Sequence, residues 1–158
     1  MFTATEILDL AIQLESNGEA VYRDAVRKAE NADTAAMLEW MADEESRHLA
    51  FFRQLRDEAN AGDDHPVLED LKRDVFADIL GQRTFSLEDQ DLGSLETTEA
   101  TLETALEFER DTVLFYEILE PFLIEEAARI QLRSIIDEEQ KHIQQLTAYL
   151  SAAEEQMA

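Results

Sequence analysis

Asp43-Glu44-Glu45-Ser46-Arg47-His48 returns 94 residues later, almost unchanged, as Asp137-Glu138-Glu139-Gln140-Lys141-His142. In each copy a glutamate and a histidine stand at i and i+3, one turn apart on the same face of a helix, a spacing at which two side chains can grip one metal ion. The residues around them set the direction of that face. Leu38, Met41, Glu45, His48, Leu49, Phe52 and Leu55 form one helical stripe, and Leu132, Ile135, Glu139, His142, Ile143, Leu146 and Tyr149 form its counterpart. The Glu-x-x-His pairs are therefore expected to face a core, where a carboxylate is costly unless a cation compensates it.

Working outward, the same offset relates Glu15 to Glu109, Tyr22 to Tyr116 and Leu38 to Leu132. One spacing kept over helix, turn and helix indicates an internal duplication of a helical hairpin. Histidine is the informative residue. The chain has three, and two of them stand at equivalent places, each three after a glutamate.

The first helix is predicted from about Thr5 to Glu30, with Thr3 or Thr5 capping it and Ile7, Leu8, Ala11, Leu14, Gly18, Tyr22 and Ala25 on its apolar stripe. Glu15 falls inside that stripe, and Glu19 lies one turn further on, beside it. Asn31-Ala32-Asp33 reads as a short turn in which Asp33 caps a second helix reaching about Ala59, antiparallel to the first. A third helix is expected over Thr98–Leu119, ended by Pro121, with Leu102, Ala105, Leu106, Glu109, Val113 and Tyr116 on its stripe. A fourth runs from about Glu125 to Ala153, and the tail from Glu154 to Ala158 is expected to fray. Between the hairpins (about 5–59 and 98–153), the connector 60–97 carries a loop signal, Ala61 to Pro66, and a candidate short helix, Val67 to Leu80. His65 there reads as a solvated loop residue. A connector of this length can cross a whole bundle.

The 158 residues, 45% of them hydrophobic with only four Gly and two Pro, read as a single all-α domain spanning 1–158. A formal net charge of −24 makes nucleic acid and anionic membrane poor partners. The absence of Cys removes disulfides, thiolate metal sites and cysteine nucleophiles. Met1 to Leu14 has no basic segment and carries Glu6 and Asp9, so neither a secretory signal nor a membrane span is expected, and the cytoplasm is the default location.

Four helices thus offer two single glutamates, Glu15 and Glu109, and two pairs, Glu45/His48 and Glu139/His142. That set matches the di-iron and di-manganese carboxylate sites of ferritin-like four-helix bundles, with a long connection between helices 2 and 3. Four carboxylates and two neutral imidazoles are balanced by two divalent cations, and the donor types suit iron or manganese, with zinc able to compete.

The residues Ala11 to Tyr22 with Asp43 to His48, and their copies Ala105 to Tyr116 with Asp137 to His142, resemble the rubrerythrin group of the ferritin-like superfamily. The resemblance implies a site of two iron ions held by Glu15, Glu45, His48, Glu109, Glu139 and His142, in an oxidoreductase that reduces hydrogen peroxide or dioxygen. Tyr22 and Tyr116, seven residues after their glutamates, read either as groups that orient ligand carboxylates or donate protons or as core tyrosines with a satisfied hydroxyl. Glu19 reads either as an extra carboxylate on the metal or as a residue behind the ligands or at the surface. Glu44 and Glu138, a quarter turn or more from the ligands, read as solvated or as supports for them. Two features depart from the group. Rubrerythrins proper carry a cysteine-ligated rubredoxin-like iron site, so a Cys-free chain needs a separate electron donor. They also place a further glutamate three residues after the helix 3 ligand, where this chain has Thr112. A ferroxidase or iron-handling protein, or a helical module that binds metal only for stability, are the alternatives, and a homodimer is the expected assembly.

Overall fold

The structure, a computed structural model, describes residues 4–61, 67 and 97–157, with the backbone alone for residue 157. Helix α1 spans Ala4–Lys28 and α2 spans Ala32–Asn60; α3 spans Thr98–Leu119, and α4 spans Glu126–Met157 after one 3-10 turn at Glu120–Phe122. The expected helix at Val67–Leu80 lies, Val67 aside, outside the described residues.

The helix ends follow local chemistry. Glu6 in the first turn of α1 and Arg27 and Lys28 in its last complement the helix dipole. Asn31, in extended conformation, accepts a 2.8 Å hydrogen bond from the Thr34 amide and so caps α2. The expected cap, Asp33, instead lies inside the first turn, because the chain has already entered the helix at Ala32. Thr97 caps α3 by accepting from the Ala100 amide at 3.1 Å. Pro121, which lacks an amide proton, falls in the 3-10 turn separating α3 from α4. Helix α4 continues without a break to Met157, past its expected end near Ala153.

Helix α1 packs against α2 and α3, and α3 packs against α4. Helices α2 and α4 approach each other far less, and side-chain bonds span the space between them. The core has two apolar clusters. One gathers Ile7, Leu8, Leu14, Phe52, Phe115, Leu119 and Leu132, and the other Val21, Leu38, Met41, Leu102, Phe108 and Leu146. Fully burying each such side chain contributes about 1.5–3 kcal/mol. Between the clusters runs a buried polar layer contributed by all four helices.

Candidate metal centre

The layer contains two overlapping groups. In the first, Glu15, Glu45, His48 and Glu139 each offer one ligand atom and all four atoms lie within 4.8 Å of one another; in the second, Glu45, Glu109, Glu139 and His142 do the same. Glu45 and Glu139 belong to both. All six side chains sit on the stripes that the sequence indicates, and none of the residues is more than 3% exposed.

The histidines are held from outside. His48 turns Nδ1 inward, 2.8 Å from Glu139 Oε1 and 3.5 Å from Glu15 Oε2, while its Nε2 bonds to Glu138 Oε2 at 2.8 Å. His142 places Nδ1 3.1 Å from Glu139 Oε2, 3.2 Å from Glu45 Oε1 and 3.3 Å from Glu109 Oε1, and its Nε2 bonds to Glu44 Oε2 at 2.5 Å. A carboxylate on Nε2 fixes the proton there and leaves the Nδ1 lone pair for a cation. Arg47 lies 3.3 Å from both Glu44 Oε1 and Glu138 Oε2, joining the two supports. Glu44 and Glu138 both act as supports, each carboxylate crossing to the histidine of the opposite hairpin, with Glu44 buried and Glu138 a quarter exposed. The repeated Glu-Glu doublet was the available signal.

The tyrosines cross in the same way. Tyr22 on α1 donates to Glu109 Oε1 on α3, and Tyr116 on α3 donates to Glu15 Oε1 on α1, each at 2.5 Å. Burial, reinforced by the negative charge of Glu109 for Tyr22 and of Glu15 for Tyr116, pushes both phenols well above their ordinary value, so they remain donors.

Burial and then the charge of Glu109 raise Glu45 and Glu139 well above the carboxylate range. Burial also opposes ionisation of Glu109, yet hydrogen bonds from Glu139 and His142 hold it down at about 2. Burial likewise opposes the imidazolium forms, but Glu139 and Glu15 keep His48 up at about 11, and Glu109 and Glu139 keep His142 at about 11. Without a metal, protons occupy the centre and balance its carboxylates.

The donor set fits a metal on two further observations. Each tyrosine satisfies one carboxylate oxygen, and the other oxygen, Oε2 of Glu15 or of Glu109, is buried without a hydrogen-bond partner, which costs about 1–3 kcal/mol unless a cation takes it up. Gly18 stands against Glu45: a Cβ there would lie 3.2 Å from Glu45 Oε2, so the absence of a side chain makes room for that carboxylate. Glu19 belongs to neither group. Its side chain is 27% exposed and pairs with Arg23 at 3.4 Å. Thr112 is buried.

The family model for rubrerythrin matches residues 6–150. A Thermotoga maritima crystal structure, described as a ferritin-like diiron-carboxylate protein, shares 25% identity over 96% of this chain and 97% of its own, with a TM-score of 0.67. A hypothetical protein of Pyrococcus furiosus matches at 21% identity over 95% of this chain and 89% of its own, with a TM-score of 0.69. The bacterioferritin-related protein of Bacteroides fragilis, a dodecameric thioferritin, matches at 20% identity over 97% and 87%, with a TM-score of 0.68. The last two show the fold alone, a ferritin-like bundle. No curated protein is significantly similar to the chain. No described helix is long and apolar enough to cross a membrane.

Proposed function

The chain belongs to the rubrerythrin family, and from that membership we propose that it is a diiron oxidoreductase reducing hydrogen peroxide or dioxygen. The observation that carries this reading is the pair of overlapping carboxylate–histidine groups whose Glu15 and Glu109 each keep one buried oxygen without a hydrogen-bond partner. Glu15 and His48 would hold one ion, Glu109 and His142 the other, and Glu45 and Glu139 both. Two iron ions bound there would supply the pair of electrons that the oxidant takes up.

The protein's own groups supply the rest. Glu44 and Glu138 keep each imidazole aimed with Nδ1 inward. Tyr22 and Tyr116 hold Glu109 and Glu15 in place and keep their own protons at Oη. The two apolar clusters exclude water from above and below the layer, which strengthens every charge interaction within it. A separate donor returns the electrons, and a homodimer remains the proposed assembly.

Anaerobic loading with ferrous ion, metal analysis, and then absorbance after adding peroxide or air in separate runs tests the reading. Two irons per chain, oxidised faster by peroxide than by air, are expected. Iron that is not bound, or is bound and not oxidised by either, overturns it.

A further inference from the structure

Trp40 is the chain's one tryptophan, and half of its surface is exposed. Its ring nevertheless reaches His142, edge to face, with centroids 6.2 Å apart and planes at 77°. Tyr22 meets the same imidazole at 5.8 Å and 79°, but Tyr22 is wholly buried. Trp40 therefore joins solvent to one of the candidate ligands through a single conjugated side chain. It stands one turn before Glu44, whose carboxylate holds His142 Nε2, on the sparsely packed α2–α4 side of the bundle.

Trp40 also breaks the duplication. The residue 94 positions later, at the matching place beside His48, is Ser134. The two histidines share their carboxylate partners by symmetry, yet among the described residues the aromatic ring leading outward is on the His142 side. The half-exposed indole buries one part of its ring against the bundle and keeps the other in solvent.

We propose that Trp40 is the positioning residue through which electrons from an external donor reach the His142 side of the centre, an inference that rests on the diiron reading above. The indole serves as a bridge and keeps its own charge. For each peroxide reduced, two electrons arrive one at a time from a one-electron donor, which is oxidised; the peroxide takes up two electrons and two protons and leaves as two waters. A surface of net charge −24 favours a donor with a cationic docking face, and attraction to such a donor weakens with salt.

The test compares the full-length protein with Trp40→Leu and Trp40→Phe, using hexaammineruthenium(II), a cationic one-electron reductant, as the probe. Indole emission, which comes from Trp40 alone, is first followed during anaerobic ferrous titration of the wild type; quenching that saturates with the bound iron is expected. Reduction of the oxidised, iron-loaded proteins is then timed, with peroxide oxidation of the reduced proteins as the internal comparison. In Trp40→Leu, reduction should slow by about tenfold more than oxidation does, and Trp40→Phe should recover most of that loss. Equal slowing of both half-reactions, an unchanged reduction rate in Trp40→Leu, or emission indifferent to bound iron overturns the proposal while leaving the diiron reading in place. Failure of the wild type to bind iron overturns both.

Discussion

The Tyr22 hydroxyl on α1 donates a 2.5 Å hydrogen bond to Glu109 on α3, 87 residues away in sequence. Tyr116 and Glu15 make the mirror-image bond. Removing the Tyr116 hydroxyl takes the donor from the buried Glu15 Oε1, so Tyr116→Phe should lower the stability of the metal-free protein by about 1–3 kcal/mol. Tyr22→Phe should lower it by less, because His142 Nδ1 stays 3.3 Å from Glu109 Oε1. Denaturant unfolding measures the loss, and a change below about 0.5 kcal/mol in both variants would show that these bonds hold nothing in place.

Glu45→Ala should lower metal content and turnover with peroxide together, since Glu45 belongs to both groups. Glu19→Gln should change neither, because Glu19 is engaged with Arg23 at the surface. Full peroxidase activity in metal-depleted Glu45→Ala protein would contradict the assignment.

Glu138→Gln and Glu44→Gln should weaken metal binding by roughly 10–100-fold, the usual cost of losing a carboxylate behind a ligating histidine. Competition with a chelator of known affinity gives the number. Wild-type affinity in both variants would mean that packing alone aims the imidazoles.

Both histidines titrate near 11 in the metal-free fold, above their ordinary value of about 6.5. Their stabilising contribution is therefore complete below pH of about 6.5 and is lost as pH rises through about 11. Metal binding has the opposite dependence, because Nδ1 must give up its proton first. Thermal unfolding of metal-free protein should occur at lower temperature at pH of about 9 than at about 6, and ferrous loading in weak buffer near neutrality should release at least one proton from each imidazole. Loading without acidification would show that the histidines are neutral before metal arrives.

Replacing a mid-helix glycine by alanine ordinarily stabilises by about 0.5–1 kcal/mol. At Gly18 the new methyl would press on Glu45 at 3.2 Å. Gly18→Ala should therefore gain less than that in stability and bind metal more weakly. The full gain with unaltered metal stoichiometry and affinity would show that Glu45 moves aside freely.

The meeting of the six side chains was legible in the sequence because histidine is scarce and the repeat carries Glu15, Glu45 and His48 onto Glu109, Glu139 and His142. The limits of α3 were legible too, since Thr97 and Pro121 mark them chemically. Which hairpin supplies each partner was not. Periodicity fixes the face on which Glu44 lies, but only the spacing of α2 and α4 decides that its carboxylate reaches His142 rather than water. The α2 cap lies two residues before Asp33 because Asn31 and Asp33 are both competent acceptors and the extended backbone at Asn31 selects it. The tail of α4 lacks a stop residue, which is why it continues to Met157.

Every crossing bond at the centre joins residues 87 to 101 positions apart. During synthesis the first hairpin therefore leaves the ribosome with Glu15, Glu45 and His48 but without Glu109, Glu139 and His142, and neither group of ligands is complete until the second hairpin has been made. Assembly of the centre thus waits for the two hairpins to dock, and any metal held in that geometry is captured at or after that docking.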